Sequence, residues 1–272
     1  MISKSSIIDN LKTLFYALII AIIIRSLLLQ PFYIPSSSME PNLLVGDRLF
    51  VTKYSYGYSK HSFPFSLPLF KNRILYTQPK RGEVIVFKTP YSGDNIFLIR
   101  LLCKFLTTCR TDYIKRLIGL PGDQIEFIDG YLYINNQQIH RTKVNIDSEE
   151  KINCGSEKCI YFKEKLPNGT TFTTTYVDYG NAIILIPWAI NGIGKKTYQV
   201  PEDHYFFLGD NRDNSTDSRF LKNKGPGYIY KDKLVGKAQL LFFSSDYRIG
   251  SILKFWNWNN IIRFNRFFKK IN

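Results

Sequence analysis

Three consecutive serines, Ser36-Ser37-Ser38, lead into Met39-Glu40-Pro41 just past an apolar N-terminal run, and Tyr113-Ile114-Lys115-Arg116 follows downstream. A serine hydroxyl is a poor nucleophile at neutral pH and needs a neighbouring base. Histidine usually fills that role, but the chain has only His61, His140 and His204, none of them in either segment. A lysine can substitute if burial drives off its proton. At its free pKa of ~10.4 a lysine is on the order of 0.1% neutral near pH 7.5. Bringing that value near ~8 costs roughly 3 kcal/mol, which desolvation among Tyr, Ile and Leu side chains can supply. Strand alternation sets Tyr113 and Lys115 on one face and Ile114 and Arg116 on the other, so one of the two adjacent cations must point inward. With Lys115 as the inward cation, Ser38 and Lys115 would be a candidate nucleophile and base for acyl transfer.

The elements that would hold this pair begin at the N-terminus. Leu14 to Ile24 is unbroken by any polar group stronger than the Tyr16 hydroxyl, and Leu27-Leu28-Leu29 extend the run beyond Arg25 and Ser26. Thr13 to Leu29 is 17 residues, the lower edge of what spans a bilayer. Arg25 lies near one end, where its guanidinium can snorkel to the headgroups. Lys4 and Lys12 precede the run, and no Lys or Arg occurs between Ser26 and Asp47. That asymmetry places residues 1–12 in the cytoplasm, 13–33 as a single anchor and the rest outside. A cleavable signal peptide is the rival; Leu28-Leu29-Gln30-Pro31 offers no small residues for a cut, and cutting after Ser36 or Ser38 would destroy the serine segment. Ser38 lies nine residues past Leu29, within roughly 30 Å of the membrane at ~3.3–3.6 Å per residue. Pro31 and Pro35 stiffen that connection.

Past residue 45 the patterns are those of strands, and the fold class expected is mainly β. Glu83 to Lys88 is a short apolar run, Gln124 to Ile128 alternates, Asp129-Gly130 is a hairpin turn and Tyr131 to Ile134 returns. Asn168-Gly169 marks another hairpin before Thr170 to Val177, Ala182 to Ile186 is a strand-sized apolar run too short to span a membrane, and Ala238 to Phe243 reads as a buried strand. Residues 34–250 form the expected catalytic domain, with an inserted β-rich lobe over about 103–196, leaving out 113–123. Tyr54 to Pro79 reads as a loop or hairpin insertion, facing lipid or simply solvent.

A net charge of +15 invites a nucleic-acid reading, yet no helix-turn-helix, zinc-finger or aromatic RNA-binding signature accompanies it. The basic residues are scattered until residues 251–272, where Lys254, Arg263, Arg266, Lys269 and Lys270 interleave with Phe255, Trp256, Trp258, Phe264, Phe267 and Phe268. Two readings stand: an anionic membrane interface, or a packed C-terminal helix with a solvated face. Cys103/Cys109 and Cys154/Cys159 are close pairs suited to disulfides in an oxidising compartment, or they are free thiols. No spacing of Cys, His, Asp or Glu suits a metal, and no cofactor is expected. Ser251-Ile252-Leu253-Lys254 fits an S-x-x-K pattern but lacks its companion motifs.

Five blocks in order resemble the bacterial type I signal peptidase family: the serine segment, Gly46 to Lys53, Arg81 to Lys88, Tyr113 to Asp123 and Gly209 to Arg219. One departure is visible, Asn42 where the family usually has Thr. The resemblance implies a membrane-bound serine endopeptidase, on a β catalytic core, that removes signal peptides from secretory preproteins after small residues of the Ala-x-Ala type. It implies Ser38 as nucleophile, Lys115 as base, and the Ser36 hydroxyl with the Ser38 N–H as oxyanion donors. Ser215 would orient the lysine, and Arg116 would make an outer ion pair with Asp210. Asp210, Arg212, Asp217 and Arg219 would stiffen the loop. Ile34, Met39, Leu43, Tyr113 and Ile114 match the lining of shallow substrate pockets, and the Cys154/Cys159 pair is favoured as a disulfide. The implied location is the bacterial inner membrane, with lipid and preproteins as partners and no nucleic acid. Two rivals remain: a self-cleaving Ser-Lys peptidase of the SOS-repressor type and a membrane-tethered basic binding module. The first should carry a DNA-binding domain and a cut site before the dyad; Cys154-Gly155 comes after it.

Overall fold

The computed structural model describes residues 4–63, 72–90, 110–146, 152, 154, 158–178, 195–221, 225–246, 248–250 and 255–272. The Cys103/Cys109 pair, the run from Ala182 to Ile186 and the Ser251 to Lys254 pattern lie outside the described residues.

Helix α1 (Lys4–Ile23) passes into a π-helical turn, Ile24–Leu28. The stretch Ser6–Leu28 has a mean hydropathy of 2.0 with only 6% of it buried against protein, so it is long and apolar enough to cross a membrane. Apolarity carried the expected anchor to residue 33, but Leu29–Tyr33 form strand β1 instead. Pro31 explains the change: it has no N–H to give a helix, and β1 is the edge strand of its sheet, where proline is tolerated.

That sheet has seven strands and carries the site. Its order is β1, β2 (Asp47–Thr52), β14 (Leu234–Ser244), β3 (Val84–Pro90), β4 (Arg110–Gly119), β12 (His204–Leu208) and β13 (Ile229–Tyr230). All its pairings are antiparallel. Alternation along β3 divides its side chains between two cores. Val84 and Val86 join Ile34, Met39, Leu43 and Leu49, whereas Ile85 and Phe87 join Leu117, Tyr205 and Phe207.

Two further sheets fall in and just past the stretch expected as an inserted lobe. One is ordered β11 (Lys195–Gln199), β5 (Gln124–Ile128), β6 (Tyr131–Ile134), β7 (Gln137–Gln138). Its β5–β6 turn has Asp129 and Gly130 at φ 42° and 92°, the positive-φ pair a tight hairpin requires. The other sheet is β10 (Thr171–Asp178), β9 (Lys158–Lys165), β8 (His140–Val144). Beside it Cys154 and Cys159 form a disulfide.

Two surface expectations change. The insertion after Tyr54 is tied down in its described parts: Tyr56 is buried, Tyr58 bridges Ile74, and buried Arg73 donates to the carbonyls of Tyr56 and Gly57. In its described residues, 255–272, the C-terminal segment is not the packed helix of one reading. A four-residue helix, Trp258–Ile261, precedes turns pinned to β14 by Leu241 N to Lys269 O and Ile271 N to Gln239 O, both 2.9 Å. Arg266 meets buried Asp47 at 2.6 Å, while Phe255, Trp256, Phe264 and Phe268 stay exposed.

Candidate active site

Ser38 sits in a single 3-10 turn, Ser37–Met39, that closes the connection from β1 to β2. Lys115 stands on β4 opposite Ile85 of β3, with the Tyr113 ring 5.9 Å from its amine. The Lys115 Nζ donates to Ser38 Oγ across 77 residues of chain, and both side chains are buried. Ser36 Oγ is 3.4 Å from Ser38 Oγ.

The segment 209–219 closes over this pair from the end of β12. Asn211 N donates to Ser38 O at 3.1 Å and its amide to Ser37 O at 3.2 Å, while Asn214 Nδ2 reaches Ser37 Oγ at 2.7 Å. Gly209 permits the approach, since a Cβ there would lie 2.2 Å from Ser215 Oγ and 2.5 Å from Ser38 O. Arg219 grips Asp217 through Nε and Nη2 at 2.8 and 2.9 Å. Asp217 in turn accepts from Gly209 N and Ser215 Oγ. Burial alone would raise the Asp217 pKa, but the Arg219 charge and these hydrogen bonds hold it below the usual carboxylate value. Arg212 forms a bidentate, buried pair with Glu164 of β9, which also accepts from Tyr176 and Thr174.

Burial lowers the Lys115 pKa from 10.5 to about 8, against the raising influence of Asp217 and Asp210; Arg219 pushes the same way as burial. Desolvation wins because no carboxylate reaches the amine, among the described contacts, and its hydrogen bond is to a neutral hydroxyl. Arg116, on the opposite face, is matched instead: its Nε and Nη2 hold the two Asp210 oxygens at 2.8 and 2.7 Å. Both members are 1% exposed, so the pair expected to be outer is interior, and the two adjacent cations are both inside.

Other expected residues fall differently. Ser215 gives its hydroxyl to Asp217 at 2.8 Å, not to Lys115. Ile34, Met39 and Leu43 are core side chains packed with Val84 and Val86, and Tyr113 and Ile114 are half-buried. Asn42, Asn211, Asn214 and Glu164 received no role from the sequence. Glu164 was detectable, because it keeps period-2 phase with buried Phe162 and Leu166. The described residues hold no group of three or more His, Cys, Asp or Glu suited to a metal ion.

A hydroxyl bonded to a desolvated amine on a mainly β scaffold fits one class, the serine-type peptidases. The family described as signal peptidase, peptidase S26, matches residues 7–243. Similar curated proteins include signal peptidase I of Rickettsia canadensis, 40% identical over 271 residues, covering 96% of this chain and 92% of that protein. Signal peptidase I of Rickettsia conorii is also 40% identical, over 268 residues, covering 94% and 90%. A solved signal peptidase I from Enterococcus faecalis overlaps 59% of this chain and 97% of its own, at 24% identity and a TM-score of 0.27. The chain belongs to the signal peptidase family, peptidase S26, and is a serine-type peptidase and hydrolase.

Proposed function

We propose that the chain cleaves signal peptides from exported preproteins after small residues, with Ser38 as nucleophile and Lys115 as general base. The observation carrying this is the buried hydrogen bond from Lys115 Nζ to Ser38 Oγ, with the amine's pKa lowered to about 8. Neutral Lys115 takes the Ser38 proton as Oγ attacks the scissile carbonyl, and the oxyanion forms against the Ser38 N–H and the Ser36 hydroxyl. The ammonium of Lys115 then protonates the leaving amine as the C–N bond breaks. The neutral lysine next deprotonates water, which hydrolyses the ester, and the proton returns to Ser38. Every step draws on side chains, backbone and water. Half-buried Tyr113 and Ile114, beside Lys115 on β4, line the approach for small side chains.

The helix Ser6–Leu28 anchors the chain in the bacterial inner membrane, N-terminus inward and sheets outward, as the early Lys4 and Lys12 favour. Lipid and preprotein are the partners. The test incubates the detergent-solubilised full chain with a preprotein whose signal ends in Ala-x-Ala. Wild type should release the signal and Ser38→Ala should not; cleavage by Ser38→Ala overturns the reading.

A further inference from the structure

The residue at which the serine segment departs from the family pattern, Asn42, sits at a junction of four parts of the fold. Its Nδ2 lies 2.7 Å from Asp210 Oδ2 and 2.7 Å from Thr173 O of β10. Its backbone carbonyl accepts from Arg266 Nη2 of the C-terminal segment at 3.0 Å. The same Asp210 Oδ2 receives Arg116 Nη2, and Arg116 is the chain neighbour of Lys115. A continuous path thus runs from the Ser38 turn through Asn42 and Asp210 to the strand carrying the base. On its other side Asp210 is tied to the lobe, where Thr175 N donates to its backbone carbonyl at 2.9 Å.

We infer that Asn42 is a positioning residue for the Ser38–Lys115 pair, fixing the nucleophile's turn against the base's strand through Asp210; this rests on the dyad reading above. An amide has two N–H groups on one nitrogen and can serve the carboxylate and the β10 carbonyl together. A threonine hydroxyl has one proton and serves one of them. The effect belongs to the chemical step, because a nucleophile and base misplaced by an ångström can lose on the order of 10²-fold in rate. Asn42 touches neither reacting atom.

The experiment compares Asn42→Leu and Asn42→Thr with wild type in preprotein cleavage, reading kcat, KM and melting temperature, and pairs Asn42→Leu with Asp210→Asn. Expected for Asn42→Leu, assayed well below its melting point, is a kcat lowered roughly tenfold or more with KM within about twofold. Asn42→Thr, keeping one donor, should fall between. The double variant should lose less than the product of the single losses, since both break one path. A purely structural residue would lower the melting temperature and leave kcat of the folded enzyme alone; that result overturns the inference. Should Asn42→Leu fail to fold, Asn42→Thr decides, and wild-type kcat in it is equally fatal. Ser38→Ala run alongside separates the two ideas. Turnover in Ser38→Ala removes the dyad and this inference with it, whereas a dead Ser38→Ala beside fully active Asn42 variants removes the inference alone.

Discussion

Two lysines are equally hidden from solvent and differ in what faces them. Lys115 is 4% exposed and Lys53 3%, and burial lowers each from 10.5 to about 8. Lys53, just past the end of β2, is pushed further down by Arg25 and Lys88 and donates to the backbone carbonyl of Ser62 at 2.5 Å. Lys115 donates to a hydroxyl. A carbonyl oxygen has no proton to surrender, so the amine at Lys53 can only hold its neighbour in place. A depressed pKa makes a base available; the partner decides whether there is base work to do. Arg116 adds the converse, since a cation supplied with its own carboxylate becomes structure.

The sharpest way to break this contrast is to delete each amine. Lys115→Ala should cost ~10²-fold or more in preprotein cleavage while the protein stays folded, and adding Ser38→Ala should cost little further, because nucleophile and base act as one unit. A Lys115→Ala enzyme keeping more than about a tenth of wild-type rate would sink the assignment. Next comes the pH–rate profile. Cleavage should rise with pH through about 8 as Lys115 sheds its proton, and substitution of His61, His140 or His204 should leave that limb in place. Loss of turnover in a folded histidine variant would make that histidine the base.

Stability offers a smaller effect in which the two lysines should behave alike. Both fold with a pKa below the unfolded 10.5, so between about 8 and 10.5 the unfolded chain holds protons the folded chain has lost. Stability should therefore rise with pH across that window, by about 3 kcal/mol per lysine, and below it the buried charges weigh in full. Denaturant melts of Lys115→Met and Lys53→Met should each show a shallower rise; an unchanged slope would mean the amine is hydrated in solution. The smallest effect is on activity: Lys53→Met should cleave within about threefold of wild type, and a hundredfold loss there would erase the distinction between hydroxyl and carbonyl partners.

Residue types narrowed the candidates to a serine in 36–38 and one of two adjacent cations, and the resemblance of five ordered blocks to a known family singled out Ser38 and Lys115. Hairpins were equally readable, since Asp129-Gly130 and Asn168-Gly169 fall between alternating runs. Other features depended on the folded arrangement. Apolar residues continue from the helix into β1, and hydropathy does not distinguish a lipid-facing turn from an edge strand. The Arg116–Asp210 pair spans 94 residues, so its burial could not be read from either segment. Ile34, Met39 and Leu43 share the serine turn's neighbourhood, yet their side chains turn into the core beneath it. The Glu164–Arg212 contact joins the lobe to the loop, and only the phase of β9 hinted that the acid was interior.

The junction between helix and sheet has no slack. Leu28 ends the π turn, its carbonyl accepts from Lys53 N, Tyr58 donates to Leu27 O, and β1 begins at the next residue. With that helix embedded in a bilayer, the sheet cannot drift on a leash; it is set at one elevation above the lipid. Ten residues separate Leu28 from Ser38, a reach of at most ~36 Å. On the proposed function the molecule would then be a gauge as well as a blade, favouring the bond that a membrane-held chain presents at that height over similar bonds nearer or farther away.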